Sequence, residues 1–373
     1  MRCHTGRTGW VCRRRVIAAL ALVLVLAGCT GSGPPSEAPD ANNGQQEPVV
    51  QPTEAAPSVG TEDQPSDAVD AETPSTGPRR EPLADLGDGI YAVNVRTGAG
   101  VRLPKTFTSI RGADHYDVSP DGSMILFDNA THIAPSDEPA DVGRHQLYVA
   151  NADGSDLRRV TDDPLGASQG SWSSDGTKIV YLGGWAKLCC WNSPADLMVM
   201  DLASGTTTRV ATGRARRFYN PMFSADGSAI LITRYDHQDR DYDLWTIPVG
   251  GGQPRFLLED RGYAAAYSPD GSAITFPRIV TWHRGNSFQD YSEIWISDAD
   301  GSHARRLVRK GTSGGLWSPD GRLIFYYRWY GEPPPRKLWA SILDMRTGRS
   351  TLLSAHVRGY DWLDDETLIV RSR

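Results

Sequence analysis

The chain has 373 residues, with 39 Lys and Arg against 45 Asp and Glu, and a formal net charge of −6. This balance excludes non-specific binding to nucleic acid, which needs a strongly basic surface. The 38 Gly and 25 Pro, together with 11 Trp and 14 Tyr, favour short strands joined by turns over long helices. The charge is uneven, because residues 1–29 carry +5, residues 30–82 carry −8 and residues 83–373 carry −3.

Residues 1–29 have the pattern of an export signal. Three arginines at 13–15 precede an apolar run at 16–26 that is too short to span a bilayer. The run ends in Leu26-Ala27-Gly28-Cys29, which resembles the bacterial lipobox, whose Cys receives a diacylglyceryl group and becomes the new N-terminus. We therefore expect a lipoprotein that Cys29 anchors to the cell membrane on its extracytoplasmic side. The alternatives are an ordinary signal peptide with a chance Cys and, from the paired arginines, twin-arginine export.

Residues 30–82 are predicted to be a disordered, acidic tether. The segment is rich in Pro, Ser, Glu, Asp, Ala and Gln and has almost no aromatic or long aliphatic side chains. Such a composition buries too little apolar surface to offset the entropy of ordering. As a flexible coil, it would hold the rest of the chain roughly 40 Å from the anchor.

A four-residue turn sequence recurs through residues 83–373. It is Ser-Pro-Asp-Gly at 119–122, 268–271 and 318–321, Ser-Ser-Asp-Gly at 173–176 and Ser-Ala-Asp-Gly at 224–227, with a degenerate Leu-Asp-Asp-Glu at 363–366. Its aspartates, which we interpret as structural, are Asp121, Asp175, Asp226, Asp270 and Asp320, with Asp365 as the sixth. Four residues after each stands an isoleucine, namely Ile125, Ile179, Ile230, Ile274, Ile324 and Ile369.

Each repeat contains two predicted hairpins. The Asp-Gly turn between apolar stretches indicates the first, because Gly accepts a positive φ and Asp closes the turn with its own carboxylate. The second begins on a strand marked by Tyr91, Tyr148, Met198, Trp245, Trp295 or Trp339 and turns at a later Gly. Four strands in about 49 residues match one propeller blade. Six such units predict an all-β, six-bladed β-propeller.

The order of the hairpins predicts how the ring closes. The chain enters the domain through a second hairpin at residues 89–104 and ends with a first hairpin at residues 360–371. The two ends should together complete one blade, which protects edge strands that would otherwise be exposed. Residues 83–373 are thus predicted to be a single domain, and we expect the closed ring to be monomeric.

These motifs carry a resemblance to a known family. The Ser-Pro-Asp-Gly turn, the Ile-rich strand and the strand that ends in Asp-Ala-Asp-Gly-Ser at 298–302 resemble the WD40-like propeller repeats of the TolB family. The resemblance covers nearly all of residues 83–373, whereas the separate N-terminal α/β domain of TolB is replaced here by the acidic segment. It implies a propeller of the kind found in periplasmic scaffolds, in propellers attached to serine peptidases and in binding modules. We expect a non-catalytic binding or scaffold module for an envelope protein or glycan.

One end of the predicted ring carries long segments. In a four-stranded blade, the first-to-second and third-to-fourth turns lie at one end, the turn end, and the remaining connections lie at the other, the loop end. The loop-end segments at 128–145, 182–195, 233–242, 277–292 and 327–337 are long and contain Trp, Tyr and Arg, which are typical of binding hot spots and sugar-stacking surfaces. The predicted binding residues are Trp185, Trp191, Tyr235, His237, Trp282, His283, Arg284, Arg328, Trp329, Tyr330, Arg111 and His115.

An enzyme is the competing interpretation. A propeller hydrolase or lactonase could hold a metal in its central channel, for which His115 and an acidic run at 236–243 are the only signs. That run lacks the Gly and the distal Glu of a calcium loop. Residues 166–170 fit G-x-S-x-G, but they lie between two blades and not at the strand-to-helix turn that this motif requires. We therefore predict no cofactor, no metal and no catalytic residue.

The cysteines suggest a disulfide. Once Cys3 and Cys12 leave with the signal peptide and Cys29 is lipidated, the mature chain retains only the adjacent Cys189 and Cys190. Exposed thiols outside the cytoplasm seldom stay free. A vicinal disulfide between Cys189 and Cys190 is one prediction, and free or intermolecular thiols are the alternative.

Overall fold

The structure is a computed structural model. It describes residues 86–104, 107, 115–129, 145–184, 195–213, 217–235, 242–259, 265–284, 287–309, 311–330, 337–354 and 357–372, with the backbone alone at 129, 281–284, 287–291, 311–314, 329, 330 and 337. These residues form 24 β-strands in six antiparallel four-stranded sheets. The predicted all-β, six-bladed propeller is therefore confirmed. None of the described segments is a helix with the length and hydropathy needed to cross a bilayer.

Each blade runs from an innermost to an outermost strand. Blade 1 contains β3 (Tyr116–Val118), β4 (Met124–Asn129), β5 (Gln146–Asn151) and β6 (Arg158–Arg159), and blade 2 contains β7 (Ala167–Trp172), β8 (Lys178–Gly183), β9 (Asp196–Asp201) and β10 (Thr207–Ala211). Blade 3 contains β11 (Arg217–Phe223), β12 (Ala229–Tyr235), β13 (Tyr242–Pro248) and β14 (Arg255–Glu259), and blade 4 contains β15 (Ala266–Tyr267), β16 (Ala273–Arg284), β17 (Ser287–Asp298) and β18 (Arg305–Val308). Blade 5 contains β19 (Gly311–Trp317), β20 (Leu323–Tyr330), β21 (Lys337–Asp344) and β22 (Arg349–Ser354), and blade 6 contains β23 (Val357–Trp362), β24 (Thr367–Ser372), β1 (Gly89–Asn94) and β2 (Gly100–Arg102).

Blade 6 joins the two ends of the domain, as the order of hairpins predicted. β24 pairs with β1 over six residues, from Gly89 opposite Ser372 to Asn94 opposite Thr367. The side chains reinforce the ladder, because Arg96 forms a salt bridge with Glu366 and the Ser372 hydroxyl donates to the Leu86 carbonyl at 2.9 Å. The ring is thus closed by strand pairing between residues more than 270 positions apart.

The recurring turns share one set of hydrogen bonds. In the turn at 224–227, the Ser224 hydroxyl donates to Asp226 Oδ1 at 2.6 Å and accepts from the Ala229 amide at 3.0 Å, while Asp226 Oδ1 accepts from the Ser228 amide. The four equivalent turns repeat these contacts. The five glycines have φ between 69° and 71°, a conformation that Gly adopts at little cost. The degenerate sixth turn differs, because Asp364 and not Asp365 accepts the closing amides, those of Glu366 and Thr367.

The recurring isoleucines lie in the cores. All six are at most 1 % exposed. The buried side chains form six clusters, each built from two neighbouring blades, so that every interface around the ring has its own apolar core. Burying one such side chain stabilises the fold by roughly 1.5–3 kcal/mol. The repeated Ile therefore lies in five of the six cores between blades, and the core between blades 5 and 6 is built from other apolar side chains such as Phe325 and Trp362.

Side chains of one blade accept hydrogen bonds from the innermost strand of the next blade. An innermost strand has an unpaired edge, and its amide groups need acceptors. Asp117 accepts from the Trp172 amide at 2.6 Å, Asp361 accepts from the Val118 amide at 2.7 Å, and the Met222 sulfur takes the same position towards the Tyr267 amide. These three acceptors occupy equivalent positions in blades 1, 6 and 3. The same contact between adjacent blades is therefore made by different residue types.

Two segments predicted as loops are largely strand. β16 and β17 pair without interruption from Ala273 opposite Asp298 to Arg284 opposite Ser287, where the sequence predicted a loop at 277–292. β20 likewise extends to Tyr330 and β21 begins at Lys337, which shortens the predicted loop at 327–337. The β-branched residues Ile279, Val280 and Thr281 suit a pleated surface, and they continue the ladder past the core.

Candidate functional site

The candidate site lies at the loop end of the propeller. His115 stands just before the innermost strand of blade 1, Tyr235 ends β12, and Trp282, His283 and Arg284 end β16. Arg328, Trp329 and Tyr330 end β20. The ends of four blades therefore carry these predicted residues, although only the backbone is described at 282–284, 329 and 330. Arg111, Trp185, Trp191, His237, Cys29 and the Cys189–Cys190 pair lie outside the described residues, so these assignments stay predictions.

A row of polar aromatic and cationic side chains crosses blade 3 at this end. The register places Arg217 opposite Tyr235, and Tyr235 opposite Tyr242, on three consecutive strands. The Arg217 guanidinium lies 5.6 Å from the centre of the Tyr235 ring, and the Tyr235 and Tyr242 rings are 4.8 Å apart. Tyr219 adds a further ring, 5.9 Å from Tyr242. Such cross-strand contacts hold the side chains in a fixed arrangement. We call Arg217, Tyr219, Tyr235 and Tyr242 the blade 3 row.

The channel wall at the same end is built from blades 6, 1, 2 and 3. The rings of Tyr116 and Tyr360 are 4.5 Å apart. The buried Asp128 carboxylate accepts from the amides of His115 at 3.2 Å and Gln169 at 3.4 Å. The ring contact joins blades 6 and 1, and the Asp128 carboxylate joins blades 1 and 2. The mouth of the channel is therefore a connected polar and aromatic surface.

Two residues of this wall hold an unusual backbone conformation. Gln169 and Asn220 have φ of 53° and 46°, which side-chain-bearing residues rarely adopt. Both sit where the ladder of an innermost strand shifts register, and the Gln169 side-chain oxygen accepts from the Asn220 amide at 2.7 Å. β-bulges redirect side chains and concentrate near functional sites. Neither residue was among those predicted from sequence.

Two carboxylates lie further along the channel wall. Asp117 and Asp361 occupy equivalent positions on β3 and β23 and keep some accessible surface. Burial raises the pKa of Asp361 to about 6. Burial and then the nearby charge of Asp361 raise the pKa of Asp117 well above its ordinary value. Both carboxylates accept hydrogen bonds from backbone amides of a neighbouring blade, and they therefore link adjacent blades. The pair also binds one proton more readily than isolated carboxyls do.

The sequence marks this pair at one position of the repeat. The residue four positions before the turn Asp is aspartate in blades 1 and 6, but Ser171, Met222, Ala266 and Leu316 in the other four. A charged side chain at a position otherwise filled by small or apolar ones marks a special environment. Across the part of the chain that the structure describes, no group of three or more His, Cys, Asp or Glu side chains is arranged to hold a metal ion.

The turn end differs in its electrostatics. Hydrogen bonds from the neighbouring Ser hydroxyl and the following amide lower the pKa of Asp121, Asp175 and Asp226 to about 2, and they also lower the pKa of Asp270. These carboxylates accept hydrogen bonds within their own turns. The Asp320 carboxylate does the same, because it accepts from the Ser318 hydroxyl and the Arg322 amide. The G-x-S-x-G residues at 166–170 lie at the start of β7, and a Ser-Ser-Asp-Gly turn follows them. A nucleophile elbow needs a helix at that place.

Comparisons with known proteins agree with this architecture. No family model matches the chain. An uncharacterized protein of Agrobacterium fabrum is 25% identical over 232 residues, which are 60% of this chain and 72% of that protein. The Tol-Pal system protein TolB of Anaeromyxobacter dehalogenans is 31% identical over 114 residues, which are 30% of this chain and 24% of that protein.

The same fold occurs in a solved structure. A protein of Agrobacterium tumefaciens assigned as TolB superposes with a TM-score of 0.55 and 17% identity, covering 77% of this chain and 98% of its own. The expected likeness to TolB-type propellers is therefore confirmed at the level of the fold. The chain spans about a quarter of the length of the TolB relative from Anaeromyxobacter, so the likeness to that protein concerns its propeller repeats.

Proposed function

We propose that this protein is a membrane-anchored, extracytoplasmic propeller whose loop end binds another component of the cell envelope, a protein or a glycan, without catalysis. The blade 3 row is the observation that carries the proposal, because it presents the half-buried Arg217, Tyr235 and Tyr242 side chains in a fixed row backed by the buried Tyr219 ring. Fixed Tyr and Arg side chains lose little entropy on binding and are enriched in binding hot spots. The likeness to a TolB of a Tol-Pal system supports an envelope partner.

Capture from membranes tests the binding surface. Purified protein is used to capture partners from detergent-solubilised membranes of the producing bacterium, with wild type compared against a variant carrying Arg217→Ala, Tyr235→Ala and Tyr242→Ala. The variant should lose the captured component and keep its thermal midpoint. Phe256→Ala is the matched control, because Phe256 is 47 % exposed on the outermost strand of blade 3, away from the loop end. Unchanged capture by the triple variant would show that these loop-end side chains do not bind the partner.

The membrane anchor needs a separate test. Cells that express wild type or Cys29→Ser are fractionated, and lipid attachment is followed by mass spectrometry of the mature N-terminus. The anchored protein should sediment with membranes, whereas Cys29→Ser should be released or retain its signal peptide. A Cys29→Ser protein that is processed normally and still sediments with membranes would contradict the lipid anchor.

A hydrolase is the second candidate, and the Asp117–Asp361 pair is the observation that favours it. Carboxyls with raised pKa values in a channel can transfer protons to a substrate. In that case the ester or lactone hydrolysis of the purified protein should disappear in Asp117→Asn. Both carboxylates accept hydrogen bonds from backbone amides, which favours a structural role. If their role is structural, Asp117→Asn should capture the partner as well as wild type does.

A further inference from the structure

A second set of contacts links neighbouring blades at the loop end. The Asp128 carboxylate of blade 1 accepts from the Gln169 amide of blade 2 at 3.4 Å. The Tyr327 hydroxyl of blade 5 accepts from the Gly359 amide of blade 6 at 2.8 Å. Both acceptors stand three residues after the recurring Ile, and both amides belong to the residue six positions before the aligned Asp of the turn. We call that residue the bulge residue, because the ladder of the innermost strand shifts register beside it.

Blade 2 has no such acceptor on its second strand. The residue three positions after its recurring Ile is the buried Leu182, whose side chain has no polar atom. The amide of Asn220, the bulge residue of blade 3, donates instead to the Gln169 side-chain oxygen at 2.7 Å. Gln169 is itself the bulge residue of blade 2, so this blade contacts the next one from its innermost strand. Gln169 therefore makes the contact that Leu182 cannot make.

This contact joins two residues in a costly backbone conformation. Gln169 has a φ of 53° and Asn220 a φ of 46°. A residue with a Cβ keeps such a φ only where its surroundings hold it there. Hydrogen bonds supply that support, because the Gln169 amide donates to Asp128 and the Asn220 amide donates to Gln169. The conformation at Asn220 therefore depends on a side chain of the preceding blade.

The bulge of blade 3 directly follows part of the blade 3 row. Tyr219 precedes Asn220, and Arg217 lies two positions before Tyr219 on the same strand. The ladder between β11 and β12 is regular from Arg217, opposite Tyr235, to Tyr219, and it shifts register immediately afterwards. A bulge sets the direction of the side chains beside it. The backbone at Asn220 thus determines how Arg217 and Tyr219 meet the other two tyrosines of the row.

We propose that Gln169 is a positioning residue for the blade 3 row. By accepting from the Asn220 amide, it holds the bulge that fixes Arg217 and Tyr219 against the rings of the neighbouring strands. The proposal rests on the proposed binding role of the loop end, and it adds to that surface a residue of blade 2 that lies outside the row. Asp128 extends the chain of hydrogen bonds by one step, so the chain runs from blade 1 through blade 2 to blade 3.

The test compares loss of this contact with loss of its counterpart on the other side of the ring. Gln169→Met removes the acceptor and keeps the length of the side chain, whereas Gln169→Glu keeps an oxygen that can accept the amide. Tyr327→Phe is the matched control, because it removes the equivalent contact between blades 5 and 6. The reporter is 3-fluorotyrosine in place of Tyr242, whose ring lies beside those of Tyr219 and Tyr235.

The ¹⁹F NMR signal of this reporter measures the arrangement of the row. Gln169→Met should move the signal by more than its linewidth, and Gln169→Glu should restore it. Tyr327→Phe should leave the signal in place, although urea unfolding should show a loss of stability in both Gln169→Met and Tyr327→Phe, since each leaves an amide without its acceptor. An unmoved signal in Gln169→Met, or an equal movement in Tyr327→Phe, would overturn the proposal.

A double variant tests whether Gln169 acts through the backbone of Asn220. Asn220→Gly keeps the amide, and Gly adopts a φ of 46° at little cost. Gln169→Met combined with Asn220→Gly should therefore fold and give a ¹⁹F signal close to that of wild type, which keeps the test usable if Gln169→Met alone unfolds. A signal displaced as far as in Gln169→Met alone would show that Gln169 does not hold this bulge, and would overturn the proposal.

Capture from solubilised membranes links the position of the row to binding. Gln169→Met should lower the amount of captured component about fivefold, the effect of losing one hydrogen bond, while Gln169→Glu and Tyr327→Phe should stay within about twofold of wild type. If wild type captures nothing, the proposed binding function fails, whereas the ¹⁹F signals still decide whether Gln169 positions the row. Unchanged capture with a displaced signal would likewise contradict the binding role of the row and not the positioning role of Gln169.

Discussion

The two ends of the propeller are built on opposite plans. At the turn end, five blades repeat one hydrogen-bonded unit in which Ser, Asp and Gly hold the same contacts to within a tenth of an ångström. At the loop end, the described residues differ from blade to blade, since blade 3 presents Arg217 and Tyr235, blade 4 extends its β16–β17 hairpin to Arg284 and Ser287, and blades 2 and 3 carry Gln169 and Asn220 at bulges. One end therefore maintains the ring, and the other is free to vary.

The two ends also differ in the partners of their polar and aromatic side chains. Turn-end polar groups are paired within their own turns, and adjacent turns also touch, as the Ser174 hydroxyl does when it donates to the Ala225 carbonyl at 2.7 Å. Loop-end aromatic groups contact one another across strands and keep part of their surface accessible. Substitutions at the turn end should therefore change stability, and substitutions at the loop end should change binding.

The largest effect on stability is expected at the contact between turns. A Cβ on Gly271 would lie 2.7 Å from the Ala225 Cβ of the preceding blade, at a φ of +70°. Gly271→Ala should therefore reduce the free energy of unfolding by about 2–3 kcal/mol, through backbone strain and the clash together. Gly227→Ala is the matched control, because Gly227 has a φ of +69° and nothing within 4 Å of its added Cβ, so it should lose only about 1 kcal/mol.

Urea unfolding of both variants measures this difference. Adding Ala225→Gly to Gly271→Ala removes the clash and should restore the stability to that of Gly227→Ala. Equal losses in Gly271→Ala and Gly227→Ala would mean that adjacent turns do not constrain each other, and the turn end would then be six separate turns and not a linked ring.

The turn end could be predicted from sequence because its causes are local. The Asp-Gly turn and the hairpin around it depend on neighbours within a few positions, and their repetition along the chain identifies the blades. The channel wall could not be predicted in this way. Asp117 meets the Trp172 amide 55 positions away and Asp361 meets the Val118 amide 243 positions away, so their environment exists only once the ring has closed.

The length of the β16–β17 hairpin was missed for a different reason. Pro277 and the polar, aromatic residues after it suggested a loop, but Pro277 lies at an odd position of β16, where its missing N–H faces away from β17 and leaves the β16–β17 ladder intact. Gly285-Asn286 between two β-branched or aromatic stretches is a two-residue hairpin signal that could have identified this hairpin. Loop-end side chains beyond the described residues, among them Trp185 and His237, remain predictions.

A smaller effect, of opposite sign, is expected in the channel wall. With the pKa of Asp361 raised to about 6 from 3.8, the folded protein binds a proton more tightly than the unfolded chain, so stability falls as the pH rises from about 4 to about 6. Asp361→Asn removes this penalty and keeps an oxygen to accept the Val118 amide. The variant should match wild type near pH 4 and exceed it above pH 6 by on the order of 1–2 kcal/mol.

Thermal unfolding between pH 4 and pH 8 records that difference. Asp361→Ala is the control, because it removes both the charge and the acceptor and should be less stable than Asp361→Asn at every pH. An Asp361→Asn protein that is less stable than wild type at pH 8 would show that the charged carboxylate is needed for fastening blades 6 and 1.

The smallest effect is expected for a single turn carboxylate, and its pH dependence runs the other way. The Ser224 hydroxyl and the Ser228 amide lower the pKa of Asp226 to about 2, so the stability it provides is present above about pH 4 and is lost as the pH falls towards 2. Asp226→Asn should lower the thermal midpoint at pH 7, and the gap to wild type should close as the pH falls from 4 to 2. Tyr235→Phe, the loop-end counterpart, should leave the midpoint within about 1 °C of wild type at both pH values, since the Phe ring keeps the contacts with Arg217 and Tyr242. If Tyr235→Phe lowers the midpoint as much as Asp226→Asn does, the loop end also maintains the ring, and the division of roles between the two ends is wrong.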